Sequence, residues 1–185
     1  GVVGLGGAVF PSHLKLKAGK DKRMTLVLNG AECEPYITCD DMLMRERAAD
    51  ILRGAEVLRD LLHATEVLIG IEDNKPEAVA AMQQAVEDGK HQRIEVIVVP
   101  TMYPSGGAKQ LIRLLTGIEV AAGVRSTEKG VQCFNVATAY SVWRALAHGE
   151  PLISRIVTVT GNVEHAQNFD VLIGTPLNEL VAQAG

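Results

Sequence analysis

Three apolar runs, Met24–Leu28, Val67–Ile71 and Ile94–Val99, alternate with two segments of helical period. Short apolar runs bounded by turn residues read as buried strands. Between the first two runs, the apolar positions Leu43, Ile51, Leu52, Ala55, Leu58 and Leu62 recur at near-helical spacing and give one core face. Asp40 and Asp41 are the N-cap candidates of that helix, which runs to about His63. Between the second and third lies a helix from about Pro76 to Glu87, its proline at a first-turn position where a missing N–H is harmless. A strand–helix–strand–helix–strand series at this spacing predicts an α/β fold, a mostly parallel sheet flanked by helices and joined by right-handed crossovers.

Downstream, Pro100–Gly107 leads into a helix carrying Leu111, Ile112, Leu114 and Leu115, closed by Gly117 at C′. Residues 118–130 read as loop. A further helix runs from about Val136 to His148 with Gly149 as its stop, followed by strands at Ile156–Thr160 and Val171–Ile173. The tail after Gly161 is expected to begin a small β-rich module. Residues 1–161 are therefore assigned to the α/β domain, and 162–185 to a linker and the truncated start of that module.

Composition narrows the function. The 185 residues are 47% hydrophobic and 22% charged, as in a soluble globular domain. A formal charge of -4, no basic tract and 4% aromatics argue against a nucleic-acid surface. The apolar runs are too short to span a bilayer, and no signal peptide is visible. Beginning on a loop without methionine, the chain reads as an excised piece. Cys33, Cys39 and Cys133 form no C-x-x-C, so neither a zinc knuckle nor an iron–sulfur cluster is expected, and all three read as reduced thiols.

Three loops at strand ends or helix starts are the candidates for chemistry. Gly4-Leu5-Gly6-Gly7-Ala8-Val9-Phe10-Pro11, followed by Lys15, lets the backbone approach a ligand closely and offers N–H groups to a phosphate. It misses the dinucleotide fingerprint G-x-G-x-x-G at Val9, so a phosphate cradle and a plain structural turn both remain open. Tyr103-Pro104-Ser105-Gly106-Gly107 places paired glycines at a helix start, a second anion-site candidate. Cys133-Phe134-Asn135 approaches another helix. In open α/β sheets ligands collect at such strand ends.

In the Asn29-Gly30-Ala31-Glu32 turn and just beyond it, Glu32 and Glu34 lie two apart. In an extended segment they point the same way, for acid–base work or for ribose hydroxyls; the alternative is a solvated acidic turn. Phe10 and Tyr103 flank the glycine loops and can stack on planar rings, although packing onto the core is the default for Phe10. The five histidines do not cluster, and no serine has a G-x-S-x-G context. Asp40-Asp41 reads as a helix cap rather than a metal site.

Taken in order, GLGGAVFPSHLKL, NGAECEPYITCDD, IGIEDNKP, YPSGGAKQL followed by LTG, and FNVATAY leading to GEPLISRIVTVTG resemble the C subunits of Rnf-type ion-translocating electron transport complexes. More remotely they are similar to the NADH-oxidising flavin subunit of respiratory complex I. The resemblance covers nearly the whole chain. It implies a Rossmann-like domain that binds FMN noncovalently and accepts hydride from NADH, with a small SLBB-like β-rich module beginning at the C-terminus.

Carried over by residue, Gly4, Gly6, Gly7 and Lys15 resemble the first FMN loop and its phosphate-side lysine. Asn29 and Glu32 resemble the polar turn that meets the flavin. Tyr103, Gly106 and Gly107 resemble a second cradle, and Asn135 with Thr138 a third contact. Phe10 and Glu34 occupy positions that hold NADH in the complex I relative. No catalytic side chain and no metal ligand is implied.

The chain also departs from the family pattern. Val9 stands where a glycine is usual, Ala108 where complex I has a glutamate, Ala31 where complex I has an acidic residue, and Phe134 where a polar residue precedes Asn135. The cysteine motifs for two 4Fe–4S clusters are absent from this chain and expected in the full-length protein. Expected partners are the other subunits of the membrane-bound complex, with neither nucleic acid nor a direct membrane span. The expected location is peripheral, on the cytoplasmic side of a bacterial inner membrane. Alternatives are a flavin-free docking module of the same complex and a related FMN-dependent cobalamin reductase.

Overall fold

In a computed structural model describing residues 1–17 and 23–185, the apolar runs become adjacent strands of one parallel sheet. β1 (Met24–Gly30) pairs with β2 (Ala64–Glu72), and β2 pairs with β3 (Ile94–Val99). On the other side of β1 lies β4 (Val131–Asn135), giving the order β3-β2-β1-β4. The fold class is thus the one the alternation predicts.

β4 is the strand that pattern reading passed over, taking residues 118–130 for loop and 133–135 for a helix approach. Its five residues, Val-Gln-Cys-Phe-Asn, carry polar side chains at two positions and no run long enough to stand out. Residues 126–129 of the expected loop form a short 3-10 turn ahead of it.

Strand side chains divide between two cores, because successive residues point to opposite faces. Met24, Leu26 and Leu28 face the larger one, shared with α2 (Cys39–Leu62), α3 (Pro76–Asp88) and α5 (Val136–Ala147). Val27 faces the smaller one, with Leu111 and Ile112 of α4 (Ala108–Thr116) and with Val131 and Cys133. Gly70 makes room on that second face: a Cβ there would meet Leu111 Cδ1 at 2.7 Å. On the first face Gly54 lets α2 lie directly against α5. A Cβ at Gly54 would stand well inside 3 Å of the Ala139 backbone.

The start of α2 corrects the sequence reading. Thr38 is the N-cap residue, and Asp40 and Asp41 lie inside the first turn rather than capping it. Their N–H groups donate instead to Glu32, at 2.9 Å (Asp40 to Oε1) and 3.2 Å (Asp41 to Oε2). A carboxylate from the preceding turn supplies what the cap side chain does not, at the end of the helix where negative charge is favoured.

The expected late strands shift and join. β5 (Ser154–Val159) and β6 (Gln167–Leu172) form a separate antiparallel hairpin, followed by α6 (Leu177–Ala184). β5 therefore pairs with β6 and not with the parallel sheet. The short α1 (Ser12–Leu16) precedes β1 and lies along the outer side of β4, where Gln132 Nε2 donates to the Lys15 carbonyl at 2.9 Å.

Candidate functional site

The order β3-β2-β1-β4 reverses direction at β1, and the reversal point lies between β1 and β4. Loops leaving two neighbouring strands on opposite sides open a crevice there, at the carboxyl ends. Asn29 and Asn135 stand at those ends as register partners. Each asparagine ties a different loop to the sheet.

Asn29 Nδ2 donates to the Gly106 carbonyl at 2.7 Å, and its Oδ1 accepts from the Ala31 N–H at 3.0 Å. Gly106 is thereby drawn onto the β1 turn. A Cβ on it would collide with the Ala31 carbonyl and sit 2.9 Å from Cys33 Sγ, so the close approach requires glycine. Gly107 is the N-cap residue of α4. Ser105, buried below the turn, donates to Glu72 Oε1 at 2.6 Å. Glu72 ends β2 with 0% exposure, and its Oε2 has no hydrogen-bond partner.

Asn135 caps α5, its Oδ1 accepting from the Ala137 N–H at 2.9 Å. Its Nδ2 donates to Asp40 Oδ2 at 2.6 Å. The first glycine loop rests on this pair: a Cβ on Gly6 would stand 3.2 Å from Asn135 Cβ, and the Leu5 N–H donates to Thr138 Oγ1 at 3.0 Å. The loop closes on itself through the Gly4 N–H to the Phe10 carbonyl at 2.8 Å. Gly6 and Gly7 stay exposed, and Gly7 takes a left-handed φ of 101° with open space around it.

Val9 also adopts a left-handed φ, 52°. A β-branched side chain is strained at that φ, which glycine adopts freely. Phe10 is 48% exposed and Tyr103 73% exposed, so neither packs onto the core.

The structure thus brings Gly4, Gly6, Gly7, Asn29, Gly106, Gly107, Asn135 and Thr138 to one end of the sheet. Two predicted residues have other partners. The Lys15 ammonium donates to the Cys133 carbonyl and lies 4.5 Å from the Phe134 ring centroid, on the open side of β4. Burial holds its pKa below the ordinary lysine value. Glu32 is occupied at the start of α2, with Lys75 Nζ 3.7 Å from its Oε2. The expected extended pairing of Glu32 and Glu34 gives way to different surroundings: Glu32 is buried, and Glu34 is exposed at the bend that precedes Pro35 and Tyr36.

Asp40, read from sequence as a cap, is the most perturbed acid near the crevice. The residue has some exposure, but its carboxyl group lies inside. Burial, then the neighbouring Glu32, push its pKa up to about 7, against the hydrogen bond from Asn135 and the charge of Arg155. The same surroundings push the Cys39 thiol up to about 12. Glu72, Lys75 and Arg155 are the other residues that sequence reasoning missed. Glu72 and Lys75 lie within IGIEDNKP, a motif that signalled the region without a role for either side chain.

Residues 1–144 match the Nuo51 FMN-binding domain family, and residues 156–185 match the SLBB domain. Along its whole length the chain is 51% identical to the C subunit of the ion-translocating oxidoreductase complex of Haemophilus influenzae (strain 86-028NP), of which it covers 28%. It is 53% identical over 184 residues to the C subunit of the complex of that name from Pasteurella multocida (strain Pm70), covering 22%. The resemblance drawn from the motifs therefore holds, and the chain spans less than a third of these relatives. Two crystal structures of an NAD+-reducing NiFe-hydrogenase share the fold, with TM-scores of 0.83 (air-oxidized) and 0.85 (H2-reduced) at 19% identity. They cover 99% and 100% of this chain, which spans 36% and 37% of theirs. No described helix is long and apolar enough to cross a membrane.

Proposed function

The chain belongs to the Nuo51 FMN-binding domain family, and on that premise we propose that it is an NADH-linked flavin module of an ion-translocating electron transport complex. The observation that carries the reading is the convergence of two glycine loops and two register-paired asparagines on the reversal point of the sheet. The crevice fits a phosphorylated planar ligand: Gly7 has open space around it, Gly6 is exposed, and exposed aromatic rings stand in both flanking loops.

FMN, when bound, supplies two-electron acceptance from a hydride donor and one-electron release to clusters outside this chain. The protein binds and orients. Gly6 and Gly7 bring backbone N–H groups to the phosphate end, where no side chain intervenes, and Gly4 closes the loop behind them through its N–H to the Phe10 carbonyl. Asn29 and Asn135 hold the Gly106 turn and the Gly6 loop at a set separation. Thr138 fixes the Leu5 peptide. Lys15 supports β4 from its open side and contributes positive potential near the first loop.

Glu32 and Lys75 anchor the start of α2 below the crevice. Tyr103 stands with the Gly106–Gly107 turn on the flavin side, while Phe10 flanks the dinucleotide and exposed Glu34 accepts from its ribose hydroxyls. No side chain acts as acid or base on the transferred hydride. The partners are the remaining subunits of the complex, which hold the chain at the cytoplasmic face of the inner membrane and couple electron flow to ion movement.

The test is FMN added to the purified 185-residue chain, followed by NADH without oxygen. Stoichiometric flavin absorbance that NADH bleaches is expected. If FMN does not bind, the flavin reading falls; if it binds but is not bleached, the electron donor is not NADH.

A further inference from the structure

Leu5, the residue before the exposed part of the glycine loop, is held through both of its backbone polar groups. The Leu5 N–H donates to Thr138 Oγ1 on α5 at 3.0 Å, and the Leu5 carbonyl accepts from Arg155 Nη2 on β5 at 3.3 Å. Arg155 belongs to the hairpin, which shares no strand with the parallel sheet. The hairpin is itself docked on the start of α2: the Thr38 N–H donates to Thr158 Oγ1 at 3.1 Å, and Asn168 Nδ2 donates to the Thr38 carbonyl at 3.2 Å. A cavity of about 120 Å³ separates hairpin, α2 and α5, and Leu5, Asp40 and Arg155 all line it.

The consequence follows from peptide planarity. In a trans peptide the carbonyl of Leu5 and the N–H of Gly6 lie in one plane and point in opposite directions. A guanidinium that fixes the Leu5 carbonyl therefore also fixes the direction of the Gly6 N–H, away from the hairpin. The same guanidinium faces Asp40, whose carboxylate accepts from Asn135, the residue against which Gly6 packs. Both sides of the loop's contact with the sheet thus face one cation from the hairpin.

We propose that Arg155 is a positioning residue for the first glycine loop, so that the C-terminal hairpin helps to shape the candidate FMN site. The ligand's identity rests on the flavin reading, whereas the contact between hairpin and loop does not. Other charges surround this pair. Glu32 and Glu34 face Asp40 from the preceding turn, and Cys39 adjoins it on α2. Asp170 on β6, Tyr140 on α5 and the Arg144–Glu150 ion pair line the remaining cavity wall.

The experiment compares the 185-residue chain with Arg155→Met and Arg155→Lys by NMR, then by FMN titration. Arg155→Met is expected to speed amide exchange at Leu5 about ten-fold, to move the Gly6 amide nitrogen shift, and to weaken FMN about ten-fold. It should also raise the pH at which the Asp40 carboxyl titrates, since an opposing positive charge is gone; a purely structural contact would leave that midpoint in place. Arg155→Lys restores the charge and should return the Asp40 midpoint, with the loop signals partly recovered. Unchanged Leu5 exchange and Gly6 shift in Arg155→Met would overturn the proposal. Should Arg155→Met not fold, an Asp40 midpoint and loop signals in Arg155→Lys identical to those of Arg155→Gln would overturn it as well. Failure of the unaltered chain to bind FMN would remove the flavin reading and leave the exchange and titration results to decide the role of Arg155.

Discussion

Asn29 and Asn135 are paired in register across β1 and β4, and each reaches from its strand end to a different glycine loop. Asn29 holds the Gly106 carbonyl, and Asn135 packs against Gly6 while capping α5. The separation of the two loops is therefore set by the fixed spacing of two neighbouring strands, ~4.8 Å. A crevice built this way is rigid on its floor and adjustable only in its loops.

Gly6→Val tests the first loop. Its Cβ would stand 3.2 Å from Asn135 Cβ, and the added methyls would widen the gap or fill the crevice. FMN affinity should fall at least ten-fold, while His13→Ala, on an exposed residue of α1, changes it less than two-fold. Fluorescence titration checks both, and equal losses would contradict the cradle.

Val9→Gly should stabilise the chain despite removing a side chain. Val9 is exposed and left-handed at φ 52°, so relief of backbone strain outweighs the extra freedom that glycine gains on unfolding. A gain of about 1 kcal/mol is expected in urea unfolding. NADH should also bind more tightly once the branched side chain no longer stands beside the loop.

Asp40→Asn should make stability less dependent on pH. The pKa of Asp40 is raised from 3.8 to about 7, so its contribution to folding is complete below the unfolded value and is lost as the pH climbs through the folded one. The substitution, which keeps an acceptor for Asn135, is therefore expected to stabilise the chain above pH 7 by on the order of 2 kcal/mol, with the gap closing toward pH 4. Thermal unfolding across that range measures it, and a gap that widens as the pH falls would reverse the assignment.

Gly54→Ala should be the most damaging single methyl in the larger core. The new Cβ would overlap the Ala139 backbone, which no rotamer change can relieve, so α2 and α5 must separate. A loss of about 3 kcal/mol is expected from overpacking and the contacts forfeited around it. Chemical unfolding reads it directly.

Much of this architecture is written in local pattern. The runs at β1, β2 and β3 announce a parallel sheet because they are apolar and separated by helical periods, and Gly117 and Gly149 end α4 and α5 with left-handed φ of 72° and 68°. β4 was not legible, because five residues with two polar side chains acquire strand character only by pairing with β1. Glu32 shows the same limit at the site. Its spacing from Glu34 suggests a shared role, but Glu32 is buried at the start of α2, where it accepts from the Asp40 and Asp41 N–H groups, while Glu34 stays exposed.

Residue order alone was enough to specify an α/β sheet, the glycine loops and the family motifs, because these depend on side-chain period and on backbone freedom at single positions. Which loops meet, and through which side chains, rests on contacts between residues far apart in sequence. Asp40 with Asn135 and Leu5 with Arg155 are separated by 95 and 150 positions. Such pairs form only when the sheet and its docked hairpin bring strand and helix ends together, and short-range pattern carries no record of that geometry.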